Sequence, residues 1–144
     1  MRISLEADYA VRIVQCLANE QCRLGAKAIS AKTGVTERFT IKILHKLVNA
    51  DIVKSFKGVG GGYELSREPQ NITLLQVLEV IEGPLVISRC SDDGHDCCED
   101  CLCYFHHIFD EAAVEIAKRF SAVTFTPKRC NMENRQRNNR STRN

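Results

Sequence analysis

The segment Ile52-Val53-Lys54-Ser55-Phe56-Lys57-Gly58-Val59-Gly60-Gly61-Gly62-Tyr63-Glu64-Leu65 decides how this chain is read. Residues 52–56 alternate as a half-buried strand does, and Tyr63-Glu64-Leu65 reads as a returning strand. Four glycines stand among the five residues 58–62. Glycine loses more backbone freedom on folding than any other residue, so a cluster this dense has a cause. A hairpin tip whose backbone closely approaches another surface is one, and a DNA phosphate or the minor groove fits. A phosphate-binding nucleotide loop does not, because no strand–loop–helix context follows and no Gly-Lys-Ser/Thr ending is present.

Working towards the N-terminus, Thr36 is placed to cap a helix over about residues 37–49. Its inner face reads as Phe39, Ile43, Leu44 and Leu47; its other faces carry Glu37, Arg38, Thr40, Lys42, His45 and Lys46. Residues 26–32 suit a short preceding helix, ended at Thr33-Gly34 by a left-handed glycine. A short helix, a tight turn and a polar-basic helix form a helix-turn-helix, whose second helix enters the major groove. A hairpin directly after it makes a winged helix. Arg38 and Lys42 are four apart and share a face. The candidate DNA contacts are Arg38, Thr40, Lys42 and Lys46 from this helix, with Lys57 and Gly58 from the wing. Ahead of them, Ser4 caps a first helix over residues 5–19, with Glu6 and Asp8 suited to the positive end of its dipole. Ala7, Ala10, Val11, Val14, Leu17 and Ala18 form its apolar stripe, and Cys16 and Cys22 read as packing residues.

Towards the C-terminus, Thr73-Leu74-Leu75-Gln76 has capping-box spacing, and its helix stops at Gly83-Pro84. Phe105, Phe109, Ala112, Ile116, Phe120 and Val123 recur at spacings of three and four, predicting a helix over about residues 104–122. Its long stripe suits a dimer interface, since helix-turn-helix proteins bind two-fold sites as dimers. Residues 131–144 hold five Asn and four Arg with Met132 as the one large apolar side chain, a composition that predicts disorder.

Between these helices lies Cys90-Ser91-Asp92-Asp93-Gly94-His95-Asp96-Cys97-Cys98-Glu99-Asp100-Cys101-Leu102-Cys103, holding five of the chain's eight cysteines. Thiols crowded on a polar, acidic loop point to a soft metal centre, with a disulfide-stapled loop as the rival. The first residues carry acids where a signal peptide has its apolar core, and no apolar run reaches the roughly 18 residues of a membrane span. A cytoplasmic location follows, where clustered cysteines read as metal-binding or redox-active. Residues 1–67 hold 11 Lys and Arg against 6 Asp and Glu; residues 68–127 hold 3 against 11; residues 128–144 hold 6 against 1. A polyanion partner is therefore expected for the first part alone. No nucleophile–base set or paired-carboxylate site is readable, so the chain is not read as an enzyme.

Met1-Arg2-Ile3-Ser4 with Tyr9-Ala10-Val11, then Leu44-His45-Lys46-Leu47, then Lys57-Gly58-Val59-Gly60-Gly61-Gly62-Tyr63, and the cysteine loop together resemble the bacterial winged-helix regulators of the IscR and NsrR type, over about residues 1–125. The wing departs from that family's pattern, which often has Arg where Lys57 stands and Pro where Val59 stands; Lys lacks the bidentate fork of Arg. The resemblance implies an iron–sulfur cluster held by three cysteines of the loop. Cys90 matches the first, Cys97 or Cys98 the middle, and Cys103 the last, because Cys103-Tyr104-Phe105-His106 has the Cys-x-x-His spacing of IscR-like members; Cys101 is additional. The resemblance offers two fourth ligands: His106, as in IscR-like members, and Asp8, as in NsrR-like members, where it comes from the partner's first helix. Asp8 is the expected one. Zinc would also accept three Cys and one His.

The expected fold is mainly α with a small β-hairpin. Residues 1–67 form a winged helix-turn-helix domain, 68–89 a connecting helix and linker, 90–103 the cluster-binding loop, 104–127 a dimerisation helix and 128–144 a basic tail. The expected function is a homodimeric regulator of transcription, a repressor of double-stranded operator DNA, that senses an iron–sulfur cluster with two or four irons. The alternative is a metal or cluster carrier, or a thiol redox protein, without sequence-specific DNA binding.

Overall fold

The structure is a computed structural model and describes residues 3–87 and 104–127. Along the chain it forms α1 (Leu5–Glu20), α2 (Ala26–Thr33), α3 (Glu37–Asn49), β1 (Val53–Phe56), β2 (Gly62–Leu65), α4 (Leu74–Glu82) and α5 (Tyr104–Ser121). A 3-10 turn at Pro69–Asn71, which no periodicity announces, joins β2 to α4. The fold is thus mainly helical with one two-stranded antiparallel sheet.

α1 begins as its sequence suggests, with Ser4 Oγ accepting from the Ala7 amide at 3.2 Å. Its buried residues are Ala7, Ala10, Ile13, Val14, Leu17 and Ala18. Ile13 takes the place expected for Val11, which is half-buried. α2 ends at Gly34, whose φ of 74° gives the left-handed stop. Thr36 holds the N-cap position of α3 without a side-chain capping bond. Thr73 and Gln76 form a reciprocal capping box at the start of α4.

One core joins these elements. Ile13, Val14 and Leu17 of α1 pack with Ile29 of α2, Ile43, Leu44 and Leu47 of α3, Ile52 and Val53 at the sheet, and Ile72 and Val77 at and within α4. Phe125, beyond α5 and only 4% exposed, belongs to the same cluster. The core therefore runs past residue 67 and takes in the connecting helix. The tail of α5 is fastened there by backbone bonds: the Leu74 amide donates to Val123 O at 2.8 Å, the Phe125 amide to Ile72 O at 3.2 Å, and Thr73 and Thr124 form an isolated antiparallel bridge.

The hairpin pairs Val53 with Leu65 and Phe56 with Gly62. Leu24 adds a third edge: its amide donates to Tyr63 O at 3.0 Å, and the Tyr63 amide donates to Leu24 O at 2.8 Å. That close approach accounts for Gly62, whose φ is 142° and whose Cβ, were there one, would lie 2.6 Å from Leu24 O. At Gly61 a Cβ would lie 2.4 Å from Phe56 O. At these two positions the glycine requirement thus comes from within the fold, not from an outside surface.

Gly62→Ala is expected to lose roughly 1–3 kcal/mol, the usual cost of forcing an L side chain into such backbone. Gly25 is the control: its φ is −71°, and a methyl group added there would meet nothing within 4 Å. Gly25→Ala meets no steric conflict and gives up only a favoured N-cap residue of α2, so it should cost at most about 1 kcal/mol in urea unfolding.

Candidate nucleic-acid interface

α3 buries Thr40, Ile43, Leu44 and Leu47, and its opposite side faces solvent. The burial of Thr40 corrects the expectation that it contacts DNA. Thr40 is 0% exposed and its Oγ1 donates to Val35 O at 3.4 Å, so it serves the turn between α2 and α3. Phe39, expected inside, is 45% exposed and meets the Tyr9 ring edge-on at a centroid distance of 6.2 Å. Both outcomes follow from helical spacing: Thr40 stands three, four and seven residues before Ile43, Leu44 and Leu47 and shares their buried face, while Phe39, about 100° round the helix, falls at its rim.

Arg38, Lys42 and His45 are exposed, and Lys46 is half-buried. Both lysines are engaged by one carboxylate of α1. Glu6 Oε2 lies 3.1 Å from Lys42 Nζ, and Oε1 lies 2.8 Å from Lys46 Nζ. The Lys46 ammonium, opposed by some burial and helped by Lys42, holds the Glu6 carboxyl below the usual range.

The wing projects Lys57, Gly58 and Val59 into solvent. The Gly61 amide donates to Gly58 O at 3.0 Å and closes the tip. Arg23, which no sequence pattern marks, braces this hairpin. Its guanidinium carbon stands 3.4 Å from the Phe56 ring centroid, and its Nε donates to Glu64 Oε2 at 3.3 Å. Its Nη1 also reaches Gly60 O at 3.5 Å. A lone Arg in a loop carries no motif, so only the fold reveals this role.

Six of the ten described Lys and Arg of the N-terminal part are engaged within the fold, Lys42 and Lys46 among them. Arg12 pairs with Asp8 at 2.7 Å, Arg23 with Glu64, and Lys32 with Glu20 at 2.9 Å. Arg67 donates to Asp51 O at 2.8 Å and Asn71 O at 3.1 Å. Among the described residues this leaves Lys27, Arg38, Lys54 and Lys57 as exposed cations of that part outside ion pairs. Lys54 and Lys27 did not stand out by motif.

The candidate cluster ligands divide. Cys90, Cys97, Cys98, Cys101 and Cys103 lie outside the described residues, as does the basic tail. Asp8 is half-exposed and bound to Arg12. His106 places Nε2 3.2 Å from Asp110 Oδ2, while its Nδ1 is buried without a hydrogen-bond partner among the described residues. Among those residues, no three His, Cys, Asp or Glu side chains gather as a metal site. Cys16 is half-buried, and burial pushes its thiol pKa up; Cys22, expected to pack, is exposed. Nor is any described helix long and apolar enough to cross a membrane.

A helix-turn-helix with an exposed polar-basic second helix and a braced hairpin beside it defines a winged-helix regulator of the DNA-binding class. A family model described as Rrf2, iron-dependent transcriptional regulator, matches residues 3–127, and the chain belongs to that family. It is 32% identical over 127 residues to an rrf2-like HTH-type transcriptional regulator of Rhodobacter capsulatus, covering 84% of this chain and 80% of the relative. It is 35% identical over 99 residues to protein aau3 of Rhizobium meliloti, covering 67% of this chain but 64% of that protein's length. Two solved structures share the fold. CymR, the global cysteine regulator of B. subtilis, has a TM-score of 0.73 at 24% identity, over 87% of this chain and 93% of its own. T. potens IscR has a TM-score of 0.69 at 23% identity, over 87% and 83%. Family members are transcriptional regulators, not enzymes.

Arg23→Ala is expected to leave helix content unchanged by circular dichroism while speeding amide exchange at Phe56 and Tyr63 about tenfold, the effect of about 1.4 kcal/mol on local opening. Exchange at the parent rate would show that Arg23 does not brace the wing.

Proposed function

We propose that this regulator binds operator DNA as a homodimer, most simply as a repressor in the cytoplasm, and that an iron–sulfur cluster in the cysteine loop controls its affinity. Arg38, Lys42 and Lys46 from α3 and Lys57 and Gly58 from the wing are the proposed contacts, with Thr40 withdrawn because it is buried. The observation that carries the reading is the joining, in one chain, of an exposed basic recognition helix to five cysteines within the 14 residues preceding α5. α5 supports the dimer: none of its residues is buried, and Phe105, Ile108 and Phe109, on one face, stand 66%, 41% and 42% exposed. Stripes of that kind are costly in water unless covered.

The donor set suits a cluster. Thiolates of Cys90, Cys97 or Cys98, and Cys103 are soft ligands, and a fourth, harder donor from Asp8 or His106 makes the site labile. Bound, a cluster supplies a centre sensitive to redox state and oxidants. Asp8 lies in the first turn of α1, the helix whose Glu6 meets α3, so a ligand there is mechanically close to the DNA face. Its carboxylate would have to exchange Arg12 for the metal. His106 needs a smaller change, since its Nδ1 has no hydrogen-bond partner among the described residues. The favoured ligand is Asp8, for its link to the reading head.

Anaerobically isolated protein is expected to be coloured and to contain iron with acid-labile sulfide, and Cys90→Ala and Cys103→Ala to abolish both. Stoichiometric zinc without sulfide would overturn the iron–sulfur reading. Asp8→Ala is expected to leave a cluster that assembles but bleaches faster, with weaker coupling to DNA, and His106→Ala to do less; the reverse ranking would move the ligand to His106. On the DNA side, Lys57→Ala should reduce the slope of log affinity against log salt by about one unit. An unchanged slope would remove the wing from the contact set.

A further inference from the structure

The shared carboxylate of Glu6 has a role of its own. Lys42 and Lys46 are one helical turn apart on α3, and Glu6 from α1 engages both at once, one oxygen each, at 3.1 and 2.8 Å. The geometry is that of a phosphate bridging two lysines, with the carboxylate in the phosphate's place. Yet neither lysine is enclosed: their side chains are 55% and 37% exposed, while that of Glu6 is 22% exposed. A DNA phosphate can therefore approach either ammonium from the open side, and it meets groups already half-neutralised.

We propose that Glu6 is an internal competitor of DNA phosphate for Lys42 and Lys46, a residue that lowers sequence-independent affinity. The proposal rests on the reading that this side of α3 faces DNA. Sequence-independent binding is driven by counterions released as lysines neutralise phosphates. A lysine that must first leave a carboxylate contributes less to it. Arg38, which lies on the same face and outside any ion pair among the described residues, keeps its full charge for a base edge or phosphate. The pairing thus damps the two central lysines and spares the residue nearer the start of α3, where recognition helices touch base edges. Exposed ion pairs are weak, so the damping can be displaced by a well-placed site.

The test uses the full chain and a random-sequence duplex of about 30 base pairs, with binding followed by fluorescence anisotropy over a salt series. Glu6→Gln keeps the shape and removes the charge. It should bind about three- to tenfold tighter, the worth of two exposed ion pairs, with a salt slope steeper by about one unit. Glu6→Asp, too short to reach both lysines, should fall between it and the parent. In the Lys42→Ala/Lys46→Ala background, which should itself bind more weakly, Glu6→Gln should bring no further gain. If the double lysine variant binds like the parent, the assignment of this α3 face to DNA is wrong and the proposal falls with it. If the double variant weakens binding but Glu6→Gln binds equally or less tightly, the DNA face stands and the competitor role is overturned.

Discussion

The packing of α1 is the constraint on which the other elements depend. This helix contacts α2, α3, α4 and β2, and three of its six buried side chains are alanines, all 0% exposed. Alanine lets a helix axis approach its neighbours closely, while Ile13, Val14 and Leu17 fill the gaps between them. Larger side chains at Ala7, Ala10 or Ala18 would push the neighbouring elements outward, at the usual overpacking cost of about 1–3 kcal/mol. The orientation of α3, and with it the candidate DNA face, is set from behind by this helix.

A second theme is how much of the described positive charge of the N-terminal part is engaged within the fold. Counting Lys and Arg suggests a broad basic surface, but among the described residues of the N-terminal part carboxylates and carbonyls of the same fold engage six of ten. Among those residues, the exposed cations outside ion pairs are Arg38, Lys54 and Lys57, with Lys27 at the start of α2. Most of these pairs lie on the surface and add little to stability. Their effect is on the field the molecule presents to a polyanion.

Local rules made much of the fold legible. Ser4, Gly34, the Thr73–Gln76 box and the apolar spacing of α5 each act over a few residues, so the helix boundaries could be read directly. What failed was the assignment of faces on α3. Spacings of three, four and seven residues to Ile43, Leu44 and Leu47 put Thr40 on the buried face and Phe39 about 100° away at its rim, so Thr40 was misjudged by its polarity and not by its position. Non-local contacts hid the roles of Arg23, Leu24 and Phe125, whose partners lie 33 or more residues away. The glycine cluster was read correctly as a hairpin, but the cause at Gly61 and Gly62 proved to be neighbouring carbonyls. The candidate cysteine ligands lie outside the described residues.

The stitching of α5 at Val123 to Phe125 makes it a lever. Backbone bonds to Ile72 and Leu74 fix its C-terminal end to the base of α4, while Tyr104 at the other end is 70% exposed. An 18-residue helix is about 27 Å long at 1.5 Å per residue. A tilt of about 5° about that anchor therefore carries Tyr104 through about 2.4 Å. Displacement grows with distance from the pivot, so small angular changes are amplified at the end nearest the cysteines.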